Sequence, residues 1–196
     1  MPDDVTTRLA AAKIAVSFVK AKVPFGASNR LADYAESYER HAKKIEGANP
    51  NALDKVLGGM TAFLPLLTGA NRGQQIWNEA TGNAPSDPIA RFRQIAEITM
   101  RTGAGNCNEQ SIVAFMFLYD RGIRPLAWMH LTNGKHAFVL LGRTPKTGIE
   151  PKEWGDGVVV CDPWNNEAYA LPAAEGSTIL QTKWGCPTAR AQFGVE

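Results

Sequence analysis

The sequence predicts an α+β fold in which a helical N-terminal half precedes one central helix and a small antiparallel sheet. Three observations predict it. Apolar residues recur at helical spacing through much of residues 1–100, a long apolar helix follows a glycine-containing break, and the runs after it are short, β-rich and separated by turn residues. The 196 residues suit a single domain, 1–196, with its own core. Residues 1–100 would be its helical part, and residues 101–196 would carry the central helix and the strands.

Leu9, Ile14, Phe18 and Val19 pattern a helix from Thr6 to Ala21, which stops before Pro24-Phe25-Gly26. A charged, solvated helix is expected over Asn29–Glu46. Asn51 would cap another from Ala52 to about Leu67, weakened by Gly58-Gly59 and Pro65. Gln74–Ala80 is a shorter candidate. Asp87-Pro88 reads as a cap followed by a first-turn proline, opening a helix through Met100. Gly103-Ala104-Gly105-Asn106 breaks the pattern, and the central helix then runs from Cys107 to Tyr119, closed by Asp120-Arg121-Gly122. Pro125–Leu131, His136–Gly142 and Gly157–Asp162 are strand-like, with Trp164–Leu171 as a fourth strand. The tail from Gly185-Cys186-Pro187 onward shows no recognisable chemistry.

With 44% hydrophobic and 20% charged residues, the composition is that of a folded globular chain. A net charge of +2 is too small to imply nucleic acid or a membrane surface as partner. No apolar run approaches the roughly 20 residues that cross a bilayer. The N-terminus opens acidic, Met1-Pro2-Asp3-Asp4, unlike a secretory signal. The expectation is a soluble protein folded in a cytosol, either that of its own cell or that of a host or target cell receiving it. Cys107, Cys161 and Cys186 are odd in number and widely spaced, which argues against a disulfide framework or structural zinc. A metalloenzyme using Cys161, Cys186 and a histidine has no ligand pair at standard spacing. Phosphate-loop and dinucleotide motifs are absent, so neither cofactor nor metal is expected.

The chemistry concentrates at Cys107, where a glycine-containing loop enters a helix. First-turn N–H groups are unpaired there and the helix dipole is positive. Both favour thiolate, the nucleophilic form, and the same N–H groups can hold an oxyanion. The plain alternative is a small packing cysteine; its setting between Asn106 and Asn108 speaks against that. Asn133-Gly134 between two apolar runs signals a two-residue hairpin turn. That turn sets Leu131 opposite His136 and His130 opposite Ala137. Strand alternation then puts His136, Phe138 and Leu140 on one face and His130 on the other. Only one of the two histidines can therefore meet Cys107. His136 is the choice because it starts the more apolar strand; His41 sits in a charged helix and is a solvated residue. Val158-Val159-Val160-Cys161-Asp162-Pro163 reads as a buried strand delivering a carboxylate at its end. Asp162 can accept the Nδ1–H of a histidine and stabilise its imidazolium, or merely open a turn before Pro163. Trp164 could shield such a contact from water.

Cysteine, histidine and aspartate thus come in that order, on a helix start and two later strands. Gly105-Asn106-Cys107-Asn108-Glu109, Lys135-His136-Ala137-Phe138-Val139 and Cys161-Asp162-Pro163-Trp164 together resemble the papain-like and transglutaminase-like superfamily of cysteine enzymes. The likeness is closest to its bacterial toxin and type III effector branches, which include cysteine proteases and glutamine deamidases, and it spans Gly103 to Leu171. It implies a papain-like core and a catalytic triad: Cys107 as nucleophile, His136 as general base and acid, Asp162 as orienting residue. It also implies thiolate attack on an amide of a protein substrate, giving an acyl-enzyme. One departure stands out. Papain-type enzymes carry an oxyanion-hole glutamine shortly before the cysteine, and here Thr99-Met100-Arg101-Thr102 occupies that region. Gln74, Gln75, Trp77, Asn106 and Gln110 are the candidates for the second donor, with Trp164 a further candidate for substrate contact. Glu109 reads as a first-turn acid favoured by the helix dipole. The competing expectation is a non-catalytic binding or adaptor module that keeps the fold and recognises its partner through the N-terminal helices.

Overall fold

The computed structural model describes residues 5–24, 26–27, 85–143 and 148–196. The helices expected over Asn29–Glu46, Ala52–Leu67 and Gln74–Ala80 lie outside these residues. The chain forms two compact units, one joining Met1–Ala21 to Cys107–Glu196 and the other spanning Lys22–Asn106. The body of helix α1 (Val5–Lys22) thus belongs with the strands and not with the helical half in which the sequence places it.

In the Lys22–Asn106 unit, helix α2 (Pro88–Thr102) starts as expected. The Asp87 carboxylate accepts from the N–H groups of Ile89 and Ala90, and Pro88 occupies the first turn. Gly103 ends the helix in the left-handed conformation (φ 68°), its N–H reaching Thr99 O. The loop that follows is held by a parallel bridge between Gly26 and Ala104 and by Gly105 N–H donating to Gly26 O at 3.1 Å.

The other unit holds helix α3 (Cys107–Asp120) and the strands β1 (Leu126–Leu131), β2 (Ala137–Leu141), β3 (Val158–Asp162) and β4 (Glu167–Leu171). Helix α4 (Gly176–Trp184) and strand β5 (Ala189–Val195) follow, neither of them expected from the sequence. The five strands form one antiparallel sheet in the order β4-β3-β2-β1-β5, which gives the expected α+β class. The hairpin register is the expected one: His130 pairs with Ala137, and Leu131 N–H donates to His136 O at 3.0 Å. Strand β4 begins at Glu167 because Pro163 to Asn166 form a turn, closed by Asn166 N–H on Pro163 O.

Every residue of β2 and β3 is buried, because both sheet faces are covered. On one face lies α3, buried without a break from Glu109 to Leu118 and contacting β1, β2 and β3. Trp128 Nε1 donates to Ser111 Oγ there at 2.8 Å. Helix α1 shares that side, with Phe18 against Phe117 at 4.4 Å and Cys161 Sγ against Ala12 O. On the other face Met129, Leu131, Phe138, Leu140 and Val160 pack with Leu180 of α4 and with Trp154, just past a short 3-10 turn (Pro151–Glu153). Strand β5 carries an irregularity: Met129 pairs with Ala191 but Trp128 with Phe193, leaving Gln192 as an extra residue. This bulge turns Phe193 to the α3 face, where it meets Phe115 edge-on at 5.8 Å.

Candidate active site

Three chain segments bring the expected triad together. Cys107 is the first residue of α3 and is half-buried. His136 immediately precedes β2, fixed by the hairpin, and Asp162 is the last residue of β3. Both are buried. His136 Nε2 lies 2.9 Å from Asp162 Oδ2, and the Cys107 side chain hydrogen-bonds the same ring. The carboxylate is held from its other oxygen, since Asn165 N–H donates to Asp162 Oδ1 at 3.2 Å. Asp162 therefore opens the Pro163 turn and hydrogen-bonds the imidazole at once. The partner nitrogen differs from expectation: Asp162 takes Nε2 and not Nδ1. The reason is geometric, since β3 lies beside β2 and reaches the ring from its Nε2 edge.

Burial by itself would lower the His136 pKa. The hydrogen bonds to Asp162 and Cys107, with the charges of both partners, override that and raise it to about 9. At neutral pH the ring thus keeps its proton. A protonated ring can donate a proton before it can accept one.

The aromatic surroundings favour the same charged form. Trp184, the last residue of α4, stacks on the His136 ring at 4.0 Å with an interplanar angle of 19°. Trp164 lies tilted at 5.2 Å, and Phe138 flanks the ring at 6.2 Å. An indole face against an imidazolium gains a cation–π attraction and excludes water. Trp164 is placed as expected for shielding. Trp184 is the neighbour of the imidazole that the sequence did not single out. Its signal was Gly185, which ends α4 at φ 65° with its N–H on Gln181 O, five residues after the buried Leu180.

His130 lies on the opposite sheet face from His136, against Trp128 at 4.4 Å. Burial lowers its pKa, and the charge of His136 lowers it further. Of the oxyanion candidates, Gln74, Gln75 and Trp77 lie outside the described residues. Gln110 is 0% exposed, in the fully buried stretch of α3. Asn106 is half-buried and directly precedes Cys107 in the chain. Glu109 lies in the first turn of α3 as expected, buried.

The other thiols differ from each other. Burial pushes the Cys161 thiol up strongly, with the Asp162 charge adding to it, so Cys161 is an inert packing residue. At Cys186 burial also opposes ionisation, but hydrogen bonds from Thr132, Thr188 and Asn133 outweigh it and bring the thiol to about 7. Thr132 Oγ1 lies 3.2 Å from that sulfur. Among the described residues no group of three or more His, Cys, Asp or Glu side chains could hold a metal ion. Among them, too, no helix is long and apolar enough to cross a membrane. No protein-family model matches the chain, and no curated protein matches it in sequence.

Proposed function

We propose that this protein is a thiol-dependent amide hydrolase acting on a protein substrate, as a cysteine protease or a glutamine deamidase. The observation that carries the reading is one buried imidazole hydrogen-bonded both by the Cys107 side chain and by the Asp162 carboxylate. Nucleophile, proton carrier and orienting acid are the parts that acyl transfer needs.

The sulfur attacks the amide carbonyl carbon, and the carbonyl electron pair moves onto oxygen. That oxyanion faces the first turn of α3, where the Cys107 N–H is a free first-turn donor by position. As the carbon–nitrogen bond breaks, His136 gives its proton to the departing amine and a thioester on Cys107 remains. Water then attacks the thioester, with the now neutral His136 accepting its proton; the carbon–sulfur bond breaks, the acid product leaves, and the Cys107 thiolate and His136 imidazolium are restored. Asp162 keeps the ring in register and balances its charge in both halves. A backbone amide makes this a protease; a glutamine side chain makes it a deamidase that releases ammonia. An amine in place of water gives transglutamination at the same centre.

A binding module has no use for this arrangement. Burying a carboxylate and an imidazolium costs several kcal/mol of desolvation, which has to be recovered through the hydrogen bonds and charges of a closely fitted pair. A packing role is met more cheaply by apolar side chains. The resemblance to bacterial toxin and effector enzymes supports delivery into a target cell as part of the same proposal.

The test is alkylation by iodoacetamide near pH 6, read on each cysteine peptide by mass spectrometry. Rapid modification of Cys107, slowed in His136→Ala and kept in His130→Ala, supports the reading. Loss of reactivity in His130→Ala but not in His136→Ala would mean that the wrong histidine has been assigned. Intact-mass measurement of candidate substrates then separates the reactions: a gain of about one dalton marks deamidation, a backbone cut marks proteolysis. Cys107→Ala abolishes either.

A further inference from the structure

A groove of about 740 Å³ runs along β4, lined by Lys13, Val16 and Ser17 of α1 on one wall and Ile179 and Lys183 of α4 on the other. Its floor is Asn166, Glu167, Ala168 and Tyr169, the start of β4 and the turn before it. It does not include Cys107 or His136, yet it begins at their turn. Asp162 and Trp164 flank Pro163 in that turn, and Glu167 pairs with Asp162 across the strands.

Three features fit this trough to an extended chain. First, β4 is an edge strand, and among the described residues no strand pairs with its outer side. Alternate N–H and C=O groups of such an edge point outward and pair readily with an added strand. Second, the walls stand on opposite sheet faces. Ala168 pairs with Cys161 on the α1 side, while Glu167 and Tyr169 pair with Asp162 and Val160 on the α4 side. Third, each wall carries one cation. The Lys13 ammonium has no partner among the described residues. Lys183 is held by Glu167 at 2.6 Å over the Tyr169 ring, with further donor capacity remaining.

We infer that this groove binds an extended acidic stretch of the protein substrate as a sixth strand beside β4. Successive residues of a strand point to opposite faces. An adjacent pair of acidic residues therefore sends one carboxylate to Lys13 and the other to Lys183, whereas acids two apart reach only one wall. Strand pairing fixes the direction of the bound chain and leads it to the Pro163–Asn166 turn beside the triad. This rests on the hydrolase reading for its purpose, but the binding can be measured without catalysis.

The experiment uses full-length Cys107→Ala protein and a fluorescein-labelled, end-capped octathreonine carrying glutamates at its fourth and fifth positions, followed by anisotropy. Saturable binding is expected. It should weaken severalfold when the glutamates are moved to the fourth and sixth positions, and about tenfold or more in Lys13→Glu, where like charges meet. Because an edge strand uses only alternate amides of its partner, N-methylation of one alternate set should abolish binding and of the other preserve it. No saturable binding overturns the inference, as does equal binding of a lysine-substituted peptide or indifference to both methylation patterns. Iodoacetamide labelling of Cys107 in Lys13→Glu should match that of the otherwise unchanged protein. A groove that binds while Cys107 stays sluggish would refute the hydrolase reading alone; a reactive Cys107 with an empty groove would refute the groove alone.

Discussion

Replacing Asp162 by asparagine probes the site most directly, because an amide keeps an acceptor for His136 Nε2–H and removes only the charge. The wild-type ring is raised from 6.5 to about 9 against the opposing effect of burial. Hydrogen bonds to charged groups contribute about 1.5–3 kcal/mol, and each pH unit corresponds to about 1.36 kcal/mol. Loss of the charge should therefore bring the His136 midpoint down to about 7 to 8, with the hydrogen bond from Cys107 retaining part of the elevation. The chain has three histidines, so the ring Cε1–H signals can be assigned with His41→Gln and His130→Gln and followed by NMR from pH 5 to 10. The substrate-turnover rate should share the alkaline limit, falling above about pH 9 in the wild type and above about pH 7 to 8 in Asp162→Asn, because the leaving amine needs the His136 proton. A wild-type His136 midpoint below 7, or one that Asp162→Asn leaves unmoved, would refute the proposed coupling.

Stability should follow the same proton. His136 has a folded pKa above its unfolded value, so its contribution is complete below pH 6.5 and disappears as pH rises to about 9. The stability gap between wild type and His136→Ala in urea unfolding should therefore shrink by about 3 kcal/mol from pH 6 to pH 10, the comparison with the variant cancelling the opposing titration of Cys186. Trp184→Leu should leave the protein folded but lower the His136 NMR midpoint and slow Cys107 alkylation, since it removes the stacked indole at 4.0 Å; unchanged values would reduce Trp184 to packing. Gly142 has φ +88°, and a methyl group there would lie 2.5 Å from Arg8 Nη1. Gly142→Ala should therefore cost about 1–3 kcal/mol in urea unfolding, whereas Gly122→Ala, with open space around it, should cost less.

The sequence by itself determined the features that depend on neighbours a few residues away. Asp87-Pro88 specified a helix start, and Gly103 to Asn106 the break before α3. Asn133-Gly134 fixed a register that sends His130 and His136 to opposite faces, and the β-branched run delivered Asp162 at a strand end. These were legible because a cap, a turn or an alternation acts through local backbone geometry. Tertiary structure decided the rest. It set Asp162 against His136 Nε2 through the sheet order that places β3 beside β2. It buried Gln110, which in sequence looks as available as Asn106. It also brought Trp184 onto the imidazole from a helix of nine residues with weak apolar periodicity, and turned Phe193 to the other face through one extra residue in β5. Such outcomes depend on packing between segments far apart in the chain, and no short window of sequence holds both partners.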